Sequence, residues 1–126
     1  MHLRSLAEQA RALHKGEISS VELTRLHLER CEQLNKQLNA IITLTPEAAL
    51  ASASTADQAI AGGEAGPLTG VPLLHKDIFC TRGVKTSCGS RMLDNFTAPY
   101  DATVTERQAQ VGSLAMPGSP LLTLVQ

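Results

Sequence analysis

The residue best placed to do chemistry in this sequence is Lys76. It follows a short apolar run at 71–74, which is preceded by the glycine- and proline-rich segment 66–70. This pattern predicts a buried strand after a tight turn, with the lysine at the point where the strand leaves the core. Desolvation disfavours the ammonium form of such a lysine, so Lys76 could act as a base near neutral pH. The alternative is a surface ion pair between Lys76 and Asp77 or another nearby acid.

The other reactive side chains show no spacing typical of a metal or phosphate site. The four histidines have no metal-ligand spacing, and the interval between Cys80 and Cys88 does not fit zinc. The phosphate-loop pattern G-x-x-x-x-G-K-[ST] is absent. We therefore expect no metal site and no ATP site within this chain, and we expect its three cysteines to be reduced thiols.

Composition limits both the fold and the partners. The 126 residues suit one domain, and with two phenylalanines, one tyrosine and no tryptophan the core must be aliphatic. The net charge is −1 and no basic block is present, which argues against direct binding of nucleic acid. Neither a membrane-spanning run nor a signal peptide is recognisable, so no membrane partner and a cytoplasmic location are expected.

The strongest predicted helix begins at a capping box, in which Ser19 is the N-cap and Glu22 lies three residues on. The helix is predicted to run to about residue 35. Five apolar side chains are predicted to share its buried face: Leu23, Leu26, Cys31, Leu34 and Leu38. Val21 and Leu28 fall off that face, which predicts a second neighbour for the helix.

Further elements are predicted on both sides of this helix. Before it, apolar spacing indicates a helix over 3–15, and after it a β-rich run over 40–44 indicates a strand. Thr45 is predicted to cap an alanine-rich third helix, with Asp57 on the exposed side of that helix.

The part of the chain after Lys76 is predicted to be mostly irregular. Small and hydroxylated residues over 78–90 indicate a loop of the kind that often surrounds sites. A last helix is predicted over 102–110, with Asp101 as its cap. The final stretch shows no clean period, and its two prolines, Pro117 and Pro120, would break a helix or a central strand there.

Several segments together resemble the amidase signature family. They read G-P-L-T-G-V-P-L-L-H-K-D at 66–77, C-T-R-G-V-K-T-S-C-G-S-R-M-L at 80–93 and P-Y-D-A-T-V at 99–104. The I-S-S-V-E-L segment at 18–23 and the L-N-A-I-I-T segment at 38–43 also fit in order and spacing. Within the family, the resemblance is to the branch that releases ammonia from glutamine to amidate glutamate on tRNA(Gln) or aspartate on tRNA(Asn).

The resemblance implies an α/β fold in which helices pack on a mixed sheet, with only its N-terminal portion in this chain. It implies a serine nucleophile, a second serine joined through a cis peptide, and a catalytic lysine that matches Lys76. The lysine accepts a proton passed along by the second serine, the nucleophile attacks the amide carbonyl, and ammonia leaves. The implied partners are other amidotransferase subunits, one of which uses ATP and Mg²⁺, and charged tRNA is met only through the complex. No cofactor is implied for this chain.

The departures from the family are as informative as the match. The glycine- and serine-rich stretch that carries both catalytic serines has no counterpart here. We predict that 1–111 is the N-terminal part of an amidase domain and that 112–126 is a divergent tail. We expect a truncated or frame-disrupted member of the family. It should be inactive alone, because the chain lacks the serines from which Lys76 would accept a proton. Two alternatives stay open: a fragment of another amidase signature hydrolase, and a non-catalytic remnant that docks onto partners or is inert.

Overall fold

The computed structural model describes residues 4–106 and 122–124 of the chain. Its main helices are α1 (Leu6–His14), α2 (Ser20–Leu38) and α3 (Pro46–Ala61). Its strands are β1 (Ile41–Leu44), β2 (His75–Lys76) and β3 (Leu122–Leu124). A 3-10 turn spans Arg91–Leu93, and residues 103–106 are helical. The predicted helices and the first strand are confirmed with small shifts of their ends, whereas the rest of the predicted last helix lies outside the described residues.

The three strands form one mixed sheet in the order β1-β3-β2. The central strand β3 is antiparallel to β1 and parallel to β2, and it places Leu124 opposite Lys76. The mixed sheet with flanking helices confirms the predicted α/β class. The pattern of the final residues did not predict β3, which begins two residues after Pro120, so neither proline interrupts its hydrogen bonds. The boundary between 1–111 and 112–126 stays a prediction.

The predicted capping box at the start of α2 is present. The Ser19 hydroxyl accepts a hydrogen bond from the Glu22 amide at 3.1 Å, and the Glu22 carboxylate accepts one from the Ser19 amide at 2.9 Å. The backbone and hydroxyl donors of Ser19 lower the pKa of Glu22. Thr45 is the N-cap residue of α3, as predicted, but its side chain makes no capping hydrogen bond. The Thr45 ψ angle of 61° departs from the extended backbone that directs a capping side chain at its helix.

The buried face of α2 matches the predicted one only in part. Leu23 is fully buried as predicted, but Leu26 (40% exposed), Leu34 (36%) and Leu38 (65%) are open to solvent. Ser20, Thr24 and Leu28, which were not placed on that face, are buried. Residues four apart form a stripe along a helix, and the buried stripe of α2 is the one that packs along α3. Its far end is the contact between Leu28 and Ala49, beside which Cys31 is partly buried. The small side chains of α3 let the two helices approach: Ala49, Ala53, Ala56 and Ala59 are buried.

Asp57 of α3 binds the first amides of α2 and so joins the two helices. Its Oδ1 accepts a hydrogen bond from the Ser20 amide at 2.6 Å, and its Oδ2 accepts one from the Val21 amide at 3.1 Å. The expected exposed position is therefore wrong, since Asp57 is half-buried. A carboxylate is favourable here because the first amides of a helix have no partner within the helix and carry a partial positive charge.

Gly70 docks the turn that leads to Lys76 against α2. The Ser20 hydroxyl donates to the Gly70 carbonyl at 2.8 Å. Gly70 has φ +86°, and a Cβ atom there would lie 3.1 Å from both Cβ and Oγ of Ser20. Only glycine combines this backbone conformation with so close an approach. The start of α2 thus determines where the chain enters the segment before Lys76.

Candidate active-site lysine and its surroundings

Lys76 is half-buried at the end of the two-residue strand β2. The predicted strand over 71–74 is wrong, because that stretch forms no regular structure and the ladder with β3 begins only at His75. Pro72 gives the physical reason, since proline has no N–H to donate to a neighbouring strand. Lys76 nevertheless stands at the end of a strand, as predicted, because the strand β2 ends at Lys76.

Asp77 does not pair with Lys76. Its carboxylate is 3% exposed and accepts hydrogen bonds from the amides of Ser87 at 2.9 Å and Gly89 at 3.4 Å. The Ser87 hydroxyl also donates to Asp77 Oδ2. Within the described ranges, the ion pairs at 4.0 Å or less involve other residues. The surface ion pair considered as the alternative for Lys76 is therefore not formed in this part of the chain.

The segment 87–89 lies against the end of β2 in an uncommon backbone conformation. Cys88 has φ +52° and Gly89 has φ +68°, so two successive residues are left-handed. For Cys88 this conformation costs about 1–2 kcal/mol relative to the right-handed one. The Cys88 amide donates to the Asp77 carbonyl at 2.9 Å, which opposes that cost. The Cys88 side chain is exposed and, like Cys31 and Cys80, it is a free thiol.

His75, directly before the lysine, is a packing residue. It is 5% exposed, and its ring forms a T-shaped contact with the ring of Phe79, with centroids 6.4 Å apart and planes at 78°. Burial lowers the pKa of His75, and the charge of Asp101 partly opposes that effect. His75 is therefore a buried, space-filling side chain whose surroundings favour the neutral form.

The segment P-Y-D-A-T-V anchors the loop that follows the lysine. Asp101 Oδ1 accepts a hydrogen bond from the Arg82 amide at 2.8 Å, and the Ala102 amide donates to the Cys80 carbonyl at 2.8 Å. The prediction that Asp101 caps the last helix is wrong, because the helix starts one residue too late for it, at 103. The Asp101 carboxylate instead binds the Arg82 amide, 19 residues away in the loop, and a local sequence pattern does not reveal such a contact.

The described residues include no serine in the role of a nucleophile for Lys76. Ser87 is close in sequence and buried, but its hydroxyl donates to Asp77. Sequence reasoning missed this pair of residues. The signal available was the K-D dipeptide followed by a run of small hydroxylated residues, which does not by itself say which hydroxyl meets the carboxylate.

Metal sites and membrane spans are both lacking in the part of the chain that the structure describes. No cluster of three or more His, Cys, Asp or Glu side chains there could hold a metal ion. Among those same residues, no helix has both the length and the apolar character needed to cross a bilayer.

The chain is similar to known proteins along nearly all of its length. Over 116 residues it is 64% identical to the A subunit of glutamyl-tRNA(Gln) amidotransferase from Alkalilimnicola ehrlichii. It is 59% identical, also over 116 residues, to the protein of the same name from Methylococcus capsulatus. Each match covers 92% of this chain and 24% of the relative, so the chain spans about a quarter of the length of these relatives.

A solved structure shows the same relation in three dimensions. Peptide amidase from Stenotrophomonas maltophilia superposes with a TM-score of 0.81 at 30% identity, over 98% of this chain and 24% of that enzyme. The sequence profile described as amidase matches residues 22–117, which is more than half of the chain and includes Lys76. The fold, the relatives and the profile agree, and the chain belongs to the amidase family.

Proposed function

We propose that this chain is the N-terminal part of the glutamine-hydrolysing component of a tRNA-dependent amidotransferase, and that Lys76 is its catalytic lysine. The observation that carries the proposal is the position of Lys76. It is half-buried at a strand end and forms no ion pair within the described residues. The surrounding chain is 64% identical to a protein named as an amidotransferase component. The 30% identity to peptide amidase makes a general amidase the second candidate.

In the proposed reaction Lys76 acts as the base. It takes the proton that the bridging serine passes on from the nucleophilic serine, so that the nucleophile can attack the carbonyl of the glutamine amide. The proton is then returned to the amide nitrogen, which leaves as ammonia, and water hydrolyses the acyl-enzyme to release glutamate. This chain has no glycine- and serine-rich segment to supply those serines. We therefore expect it to be inactive by itself.

The remaining parts of the proposal concern partners. The names of the relatives support assembly with other amidotransferase subunits, and ATP and Mg²⁺ would be used by one of those partners rather than by this chain. Charged tRNA would be met through the assembled complex. A cytoplasmic location belongs to the same proposal, since the relatives are named for work on tRNA.

A graft tests the proposal directly. Residues 1–106 of this chain replace the matching residues of the Alkalilimnicola ehrlichii relative, which is similar enough to accept them. Ammonia release from glutamine is then measured for the graft in complex with the other subunits of that organism's enzyme. We expect activity within a few-fold of the parent protein, and a loss of about 10²–10⁴-fold in the Lys76→Ala graft, as for removal of a positioned base.

The controls separate loss of the base from loss of the fold. Lys36→Ala removes an exposed lysine of α2 and should leave activity unchanged. The 126-residue chain alone should release no ammonia. If the Lys76→Ala graft kept full activity, Lys76 would not be the base. If the isolated chain hydrolysed glutamine in a Lys76-dependent way, the expectation that it is inactive alone would be wrong.

A further inference from the structure

Four hydrogen bonds join Asp77 to the single segment 87–89. Its carboxylate accepts from the amide and the hydroxyl of Ser87 and from the Gly89 amide, and its carbonyl accepts from the Cys88 amide. Asp77 and Ser87 are 3% and 4% exposed. Hydrogen bonds to a buried carboxylate are among the stronger ones in proteins, because donor and acceptor are both shielded from water. The end of β2 and this segment are therefore joined firmly.

The same contact limits the freedom of Lys76. On one side of Lys76 lies the ladder with β3, where it is opposite Leu124. Its carbonyl accepts a hydrogen bond from the Phe79 amide at 3.1 Å, which closes a turn around Asp77. With Asp77 tied to 87–89 as well, the main chain of Lys76 cannot shift without breaking hydrogen bonds on two sides.

We infer that the Asp77–Ser87 pair is a positioning device for Lys76. The inference rests on the proposed function, because it assigns the pair a role in the reaction that Lys76 would catalyse. A base must lie within hydrogen-bond reach of the proton it accepts, and a displacement of about 1 Å can lower the rate about 100-fold. Asp77 and Ser87 contact neither substrate nor reacting atoms in this role and act only through the placement of Lys76.

The chemistry of the contact explains why a carboxylate is needed. Both oxygens of Asp77 face donors, with the Ser87 amide at one and the Ser87 hydroxyl and Gly89 amide at the other. Asparagine would keep one acceptor and turn the other position into a donor. In Asp77→Asn the new NH₂ group would face the Gly89 amide, which is also a donor, and the Ser87 hydroxyl would have to turn and accept instead of donating. The negative charge that strengthens these hydrogen bonds would also be lost, so the segment 87–89 would be held less firmly at the end of β2.

A double-mutant cycle in the active graft tests the inference. The proteins compared are the unmodified graft, Asp77→Asn, Lys76→Ala and the double variant, each measured for kcat and KM with glutamine. We expect Asp77→Asn to lower kcat about 100-fold with KM changed less than about 3-fold. In the Lys76→Ala background the same substitution should change kcat less than about 3-fold, since a residue that acts through Lys76 has nothing left to position.

A second variant keeps the test independent of misfolding. Ser87→Ala removes one hydrogen bond of the pair and leaves the Ser87 amide in place, so we expect a loss in kcat of about 10-fold, matching one lost hydrogen bond to a charged group. Ser90→Ala is the matched control, since its hydroxyl accepts from the Met92 amide and does not contact Asp77. It should leave kcat within about 2-fold of the graft.

The outcomes separate the two proposals. A full additive loss for Asp77→Asn in the Lys76→Ala background would show a structural role and overturn the inference. So would an unchanged kcat in both Asp77→Asn and Ser87→Ala while Lys76→Ala is strongly impaired. If Lys76→Ala itself had no effect, the proposed function would be the part that failed.

Discussion

Replacement of Gly70 by alanine should destabilise the protein through two separate effects. The first is backbone strain, because Gly70 has φ +86° and a residue with a Cβ atom disfavours that conformation. The second is a close contact, because the new methyl group would lie 3.1 Å from Cβ and Oγ of Ser20. Ser20 is 1% exposed, so it has little room to move away.

The size of the loss follows from these two effects. Strain in the left-handed region costs about 1–2 kcal/mol. Overpacking of a buried contact costs about 1–3 kcal/mol, and here it would also lengthen the 2.8 Å hydrogen bond from the Ser20 hydroxyl to the Gly70 carbonyl. We therefore expect Gly70→Ala to lower the free energy of unfolding by about 2–5 kcal/mol.

Gly63→Ala is the matched control for this prediction. Gly63 has φ +74°, but nothing lies within 4 Å of the position that its Cβ would take. Gly63→Ala should therefore lower the free energy of unfolding only by the cost of backbone strain, about 1–2 kcal/mol. The measurement is urea unfolding of the 126-residue chain, followed by circular dichroism. Equal losses for the two variants would refute the close-contact argument, and no loss for either would refute the strain argument as well.

Two further predictions concern the cap of α2 and the buried side chain of His75. Asp57→Ala removes both acceptors that cap α2 at the Ser20 and Val21 amides, so urea unfolding should show a loss of about 2–4 kcal/mol, whereas the exposed neighbour Gln58→Ala should change the stability by less than about 0.5 kcal/mol. Burial lowers the pKa of His75 below its usual 6.5, so the unfolded chain binds the proton more readily than the folded one, and the stability should fall as the pH drops below about 6.5. Unfolding measured between about pH 7.5 and 5 should show a smaller decline in His75→Gln, and identical declines would contradict this assignment.

Features that depend on neighbours along the chain could be predicted from the sequence. The capping box of Ser19 and Glu22 was predictable because its partners lie three residues apart. The start of α3 at Pro46 was predictable because proline suits the first position of a helix. The lysine at a strand end and the family were both indicated by short segments around Lys76. Local rules govern such features, so one sequence suffices to find them.

Contacts between distant segments required the tertiary structure. The buried stripe through Leu28 was chosen by the direction of α3, and helical periodicity alone favoured the stripe with Leu34. The carboxylates of Asp57 and Asp101 bind amides 36–37 and 19 residues away. The contact between Asp77 and Ser87 joins residues 10 apart through an irregular loop. Periodicity describes one element at a time, whereas each of these contacts depends on how two elements are oriented, which is settled only when they pack.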